Sequence, residues 1–345
     1  MPKVREIGLV IGNLNTGDKN CITDVEGVSV GHVTLDYPAD NGDYACTGVT
    51  AILPHSGNLF REKLVAAAYV INGFGKTTGL VQVEELGTIE SPIMLTNTLN
   101  VPEVQAAAIE YMLEQTEEIS SINVVVGECN DSKLNSIRRR FVTKEHAGEA
   151  LATGSTDVCQ EGAIGAGKGM VCFGHKGGIG CSSRIVPFDG GQFTLGVLTL
   201  TNFGKPEEFK YAAHTPNPAL CESAHLNDGS IMIIMATDAP LSDRQLKRVA
   251  KRCGIGLGRT GSNFGHGSGD IVIAFSTAQK IPHKPTAMIE TIVQLREDDP
   301  IFNKLFQAAA EATEEAILNS LAQAETTTGR QGIVVEKLNL KRIYD

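Results

Sequence analysis

Short apolar runs rich in β-branched residues recur along the chain, at 49–53, 64–71, 124–126, 193–200, 231–235 and 271–275, with little polar alternation inside them. A strand with one wet face alternates, so such runs suit strands covered on both faces. Thirty-seven glycines punctuate them and keep the elements short. Amphipathic helices are expected between and after the strands. One spans 102–116, entered through Asn100 with Pro102 in its first turn, and another spans 243–252, opened by Ser242 and Gln245 as a capping box. Two more are predicted at 285–296 and 300–322, with a last strand at 333–338. Helices that cover sheets on both sides give a layered α/β sandwich. No proline- or serine-rich linker divides the 345 residues and no tandem repeat is visible, so 1–345 reads as a single domain.

The charge balance narrows the partners. Forty acidic against 30 basic residues give −10 without any basic block, which argues against a nucleic-acid or anionic-membrane surface. The opening residues lack a charged start followed by an apolar core, and no apolar run is long enough to span a bilayer, so a soluble, unexported, cytoplasmic protein is expected. Eight cysteines are scattered without Cys-x-x-Cys spacing and read as reduced, buried thiols. His225 and His266 are isolated, and no metal or other cofactor is expected.

A phosphate-binding loop is nearly matched at 162–169, but Gly169 stands where the magnesium-binding hydroxyl is needed, and neither a strand before it nor a helix after it is indicated. Glycines continue through Gly177, Gly178 and Gly180. Two readings stay open for this stretch: backbone amides gathered around an anion, or turns that let backbone approach backbone.

The chemistry is expected where Asn227-Asp228-Gly229-Ser230 runs into the apolar stretch 231–235. Glycine reaches backbone angles that other residues avoid, so the peptide before Ser230 can bend toward attack by the serine's own hydroxyl. Cleavage there would free an α-amine of pKa about 7.7–8.0 beside Oγ, suited to act as its base near neutral pH. The ordinary alternative is a Gly-Ser turn before a core strand.

Further segments change that balance. In order they are Leu95-Thr96-Asn97-Thr98, Glu128-Cys129-Asn130-Asp131, the run from Gly177 to Arg184, Asn202-Phe203-Gly204, the run from Ala236 to Leu241, Gly258-Arg259-Thr260-Gly261-Ser262 and His266-Gly267-Ser268-Gly269-Asp270-Ile271. With the Gly229-Ser230 junction they resemble the L-aminopeptidase/D-esterase family, which includes the β-peptidyl aminopeptidases, over nearly the whole chain.

The resemblance implies a four-layer αββα sandwich like that of the ornithine acetyltransferases. It also implies a self-processing N-terminal-nucleophile hydrolase, cut into 1–229 and 230–345. Ser230 would be the nucleophile, Ser268 and Asp270 the pair that holds its amine and hydroxyl, and Asn202 an amide donor to the oxyanion. Glu128 is a candidate anchor for a substrate ammonium, though pairing with Arg184 or Arg138 would be a structural alternative. One departure stands out: the family pattern Asn-Asp-Gly-Tyr-Leu-Asn is Asn130-Asp131-Ser132-Lys133-Leu134-Asn135 here. Lys133 thus replaces a tyrosine, either as a stronger electrostatic donor or as a side chain turned to solvent.

The implied reaction releases an N-terminal residue from small peptides, amides or esters through an acyl-enzyme. The implied assembly is a homo-oligomer of processed pairs. Acyl transfer of the ornithine acetyltransferase type is an alternative, but those enzymes use threonine. A non-catalytic, unprocessed binding protein is another.

Overall fold

The computed structural model describes residues 1–211, 229–285, 287–289 and 291–339. Asn227, Asp228, Cys221 and His225 therefore lie outside the described residues.

Two sheets carry the fold, besides the short pair β7 (Val171–Cys172) and β8 (His175–Lys176) and a first helix, α1 (Leu80–Leu86). The smaller has the order β1-β2-β5-β6, from β1 (Ser29–Pro38), β2 (Tyr44–Leu53), β5 (Ile93–Asn97) and β6 (Val125–Cys129). The larger has the order β4-β3-β12-β11-β10-β9, from β3 (Glu62–Gly73), β4 (Thr88–Ile89), β9 (Ile179–Phe188), β10 (Gly191–Asn202), β11 (Ser230–Thr237) and β12 (Gly269–Pro282). All six apolar runs fall in these strands, save that Val124 precedes β6 by one residue.

The alternation inside β11 shows why its sequence is apolar throughout. Ile231, Ile233 and Met235 face one layer, with α4 (Asp243–Ala250), α5 (Cys253–Thr260) and α6 (Ile301–Ala322) supplying Leu246, Leu257 and Leu305. Met232, Ile234 and Ala236 face the other sheet and share its core with Leu95 and Val125. On the far side of the small sheet, α2 (Val101–Gln115) and α3 (Lys144–Ala152) cover Val49, Met94 and Val126 with Val104, Ala108 and Leu151. The order of layers is αββα. Each fully buried aliphatic side chain contributes roughly 1.5–3 kcal/mol, so a strand buried on both faces is strongly held.

The Ser242–Gln245 capping box is present, with the Gln245 amide donating to Ser242 Oγ at 3.3 Å and the Ser242 amide to Gln245 Oε1 at 3.0 Å. The segment 285–296 departs from expectation, since its described residues form no helix. Met288, Ile289, Ile292 and Val293 are exposed there. Among its described apolar side chains only Leu295 packs on the core, and a short amphipathic segment with so little packing lacks what stabilises most helices. The terminal strand is shorter than expected, reduced to β14 (Val334–Val335) paired with β13 (Thr327–Thr328).

The glycine-rich stretch serves close backbone approach. A Cβ at Gly178 would lie 1.9 Å from the Gly162 carbonyl oxygen, and one at Gly180 would lie 1.9 Å from that of Ala316 in α6. The carbonyls of Gly167, Met170 and Gly177 accept from the buried Lys176 Nζ at 3.0, 2.7 and 2.6 Å. Here the loop presents carbonyls to a buried amine, the reverse of an anion nest.

Candidate active site

Sheet topology brings the site together. Strand β10 runs antiparallel to β11, so its last residue, Asn202, pairs with Ser230 at the head of β11. Strand β12 runs parallel to β11, so both begin at the same edge, with Ile231 opposite Asp270. Three segments distant in sequence thus end at one place.

Close contacts there demand glycine twice. A Cβ on Gly229 would stand 1.8 Å from the Asn202 carbonyl oxygen, so the junction tolerates no side chain. Gly269 donates its amide to Ser230 Oγ at 3.2 Å, while a Cβ on it would meet the Phe74 carbonyl oxygen at 2.5 Å. Beside it, Ser268 Oγ donates to Asp270 Oδ1 at 2.5 Å, and both residues are buried. The pair flanks Gly269, whose amide meets Ser230 Oγ, and so lies next to the nucleophile candidate.

Asn202 is held at both ends of its amide. Its Oδ1 accepts from the Val171 amide at 3.0 Å and its Nδ2 donates to the Asn130 carbonyl at 3.0 Å. One Nδ2 hydrogen remains for a further acceptor.

The opposite wall comes from the other sheet. Gly127 in β6 faces Met232 in β11 closely enough that a Cβ would lie 2.6 Å from Met232 Cε. The next residue, Glu128, is 4% exposed and reaches the same cleft as Ser230. Its Oε1 accepts the Lys76 amide at 3.0 Å, and the Thr98 hydroxyl donates to Oε2. Arg184 is not its partner, being bound to Glu311 and Glu315.

The cleft measures about 320 Å³, and its lining includes Ser230, Gly229, Asn202, Glu128, Lys133 and Lys76. Lys133 is half-buried against it, and that burial lowers its pKa from 10.5. Asp131, two residues earlier, is fully buried, and desolvation raises its carboxyl to about 7 despite hydrogen bonds from Thr47 and Asn135. A second cleft of about 550 Å³ lies around Lys3 and Cys159 and contains none of these residues.

The protein-family model described as Peptidase family S58 matches residues 20–335. The chain belongs to peptidase family S58. Among S58 relatives, the β-peptidyl aminopeptidase BapA of Sphingosinicella microcystinivorans is 38% identical over 358 residues, covering 98% of this chain and 89% of its own. Among solved structures, the PH0078 protein of Pyrococcus horikoshii OT3 is 47% identical with a TM-score of 0.90, covering 99% of this chain and 97% of its own. The L-aminopeptidase D-Ala-esterase/amidase of Ochrobactrum anthropi, described as a prototype for the serine aminopeptidases and a variant of the Ntn hydrolase fold, is 33% identical with a TM-score of 0.89, over 99% and 97% of the two chains. The S58 fold here is accordingly that of the N-terminal-nucleophile aminopeptidases, and the protein is a hydrolase of that class.

The structure gathers Ser230, Gly229, Asn202, Glu128 and Lys133 along one cleft, with Ser268 and Asp270 on either side of Gly269, whose amide donates to Ser230 Oγ. Sequence reasoning missed the Gly269 and Lys76 amides. Backbone donors carry no residue signature, and only the glycine at 269 hints at a close approach. Thr98 stood inside a family segment without a role.

Proposed function

We propose that Ser230 is the nucleophile of an aminopeptidase that makes itself by cutting the Gly229–Ser230 bond. Ser230 Oγ attacks the Gly229 carbonyl and the peptide C–N bond breaks, which leaves Gly229 esterified to Oγ and the α-amine free. Water then hydrolyses the ester, leaving Gly229 a carboxylate. In turnover the same hydroxyl attacks a substrate carbonyl, its proton passes to the Ser230 amine, and that amine returns it to the leaving group. Asn202 Nδ2 is the neutral donor for the oxyanion, with Lys133 as a charged neighbour in place of a phenol. Ser268 and Asp270 orient the amine and hydroxyl.

Glu128 receives the substrate's ammonium, which makes the substrates small peptides, amides or esters with a free N-terminus. The carrying observation is the strand register that sets Asn202 and the start of β12 beside Ser230, in a cleft that also contains Glu128. The processed pair would assemble as a homo-oligomer, for which exposed Met288, Ile289, Ile292 and Val293 offer apolar surface. No helix among the described residues is long and apolar enough to cross a membrane.

The test is a denaturing gel of freshly purified protein after incubation at neutral pH, with N-terminal sequencing of each band. Chains of 229 and 345 − 229 = 116 residues are expected, the smaller beginning at Ser230, and Ser230→Ala should remain whole and inactive. A wild-type chain that stays intact yet hydrolyses an aminoacyl p-nitroanilide would rule the mechanism out.

A further inference from the structure

We propose that Cys21, Cys159 and Cys181 form a binding site for a thiophilic d10 cation, Zn²⁺ or Cu⁺. Their sulfur atoms lie within 4.8 Å of one another, and all three residues are buried. No other group of three histidine, cysteine or acidic side chains converges as closely among the described residues.

The three thiols come from separate parts of the chain. Cys21 precedes the turn Ile22–Asp24, Cys159 lies in the loop after α3, and Cys181 is in β9. Sequence spacing could not reveal the group, because nothing resembling a Cys-x-x-Cys pair contributes to it.

The geometry is near what a metal requires. With Zn–S bonds of about 2.3 Å, tetrahedral ligands place sulfurs about 3.8 Å apart, so a contraction of at most about 1 Å closes the set. His32 Nε2 lies 3.4 Å from Cys159 Sγ but is not within 4.8 Å of all three sulfurs, so a tetrahedral zinc shell requires it to move toward the other two. Nitrogen and sulfur on one zinc stand about 3.5 Å apart. The other ring nitrogen, Nδ1, is 2.9 Å from Thr50 Oγ1, the kind of outer partner that fixes a ligating imidazole. For Cu⁺ the three thiolates suffice without His32.

Charge favours the same reading. Binding replaces three S–H protons, released to solvent, and three thiolates around a dication carry a net −1. The Lys3 ammonium is close enough to Cys21 and Cys181 to interact with both, and is fixed by Glu161 Oε1 at 2.7 Å and the Asn20 carbonyl at 2.6 Å. A cation there complements a metal–thiolate group. Entry is provided by the 550 Å³ cleft, which reaches Cys159 between Lys3, Glu161 and Ile164.

The test uses the purified protein, reduced and stripped with a chelator, then titrated without oxygen. Zn²⁺ competes against a chromophoric chelator, Co²⁺ reports by its thiolate-to-metal absorption, and Cu⁺ competes against bicinchoninate. One equivalent of Zn²⁺ or Cu⁺ should bind, and Cys159→Ser should weaken binding by more than about 10-fold while Cys253→Ser leaves it unchanged. Bound metal should also slow alkylation of Cys159 in the unmutated protein, read by peptide mass mapping, which decides the matter even if Cys159→Ser fails to fold. Absence of stoichiometric binding by both cations, equal affinity in folded Cys159→Ser, or unprotected Cys159 overturns the site. A disulfide among the three in protein purified without reductant overturns it too, and assigns the cluster to thiol redox chemistry.

Discussion

Glu315 and Glu128 are both buried carboxylates, yet only the first is neutralised where it stands. Glu315 meets Arg184 Nη2 at 2.7 Å and Arg5 Nη2 at 2.8 Å, and Arg184 also takes the Glu311 carboxylate, Ser182 and three carbonyls until its guanidinium is saturated. Glu128 receives a backbone amide and a hydroxyl, and no cationic side chain within 4 Å among the described residues. Burying charge is costly unless it is paired, so a closed network reads as architecture. A carboxylate left with its charge facing a cleft reads as a site awaiting a cation. The contrast separates function from stability without reference to where the residues lie in the chain.

The largest catalytic effect expected from a single change outside Ser230 is at the pair behind it. Asp270→Asn and Ser268→Ala should lower kcat by roughly 10²–10⁴-fold in enzyme that has been processed, the usual range for removing positioned acid–base help. Near-wild-type hydrolysis of an aminoacyl p-nitroanilide would reduce the pair to a strand cap.

Arg184→Met should do the opposite. It strands Glu311 without a cation and leaves Glu315 with Arg5 alone, so unfolding by denaturant should become easier by about 3–5 kcal/mol. Where the variant is still folded, kcat/KM should be unchanged. Burial opposes ionisation of Glu315, but the hydrogen bond from Arg5 and the charge of Arg184 outweigh it and hold the carboxyl below its ordinary 4.5. A depressed folded pKa gives stability that is complete above the unfolded value and is lost as pH falls through the folded one. The wild type should therefore shed this contribution only in acid below about 4.5, and Arg184→Met should have less of it to lose. A folded Arg184→Met enzyme that turns over slowly would collapse the distinction between the two regions.

The same distinction explains what was legible in the sequence. Ser230, Gly229, Asn202 and Asp270 could be singled out as candidates because each sits in a short segment at a strand end, where residue identity and position are local facts. The register that unites them was not, since pairing of Asn202 with Ser230 depends on which strands become neighbours. Apolar runs foretold β11 and β12 but not their parallel pairing, and a helical period at 285–296 failed because its described apolar residues other than Leu295 face solvent. The Arg184 network was hidden for a related reason, its acids lying about 130 residues away on α6. Lys133 shows the limit most clearly: sequence flagged the replacement of a tyrosine, and only the fold puts its ammonium at the cleft instead of in open solvent.

The smallest expected effect is the most specific. In Glu128→Gln the amide oxygen can still accept from the Lys76 N–H, while the Thr98 hydroxyl can rotate to accept from the new NH₂, so the wall should keep its shape. What disappears is the charge. A hydrogen bond to an ionised partner is roughly twice as strong as a neutral one, and a difference of about 1.4 kcal/mol is tenfold, so kcat/KM for a free N-terminal amine should drop by about 10-fold. An N-acetylated version of the same amide has no ammonium to lose and should remain a poor substrate for both enzymes. Preference for the free amine, measured as the ratio of the two kcat/KM values, should thus shrink in the mutant through one substrate only. Equal rates on both substrates in the wild type would mean that the cleft anchors no amine and would favour a general amidase. A ratio unchanged by Glu128→Gln would keep the aminopeptidase and place its anchor on another group.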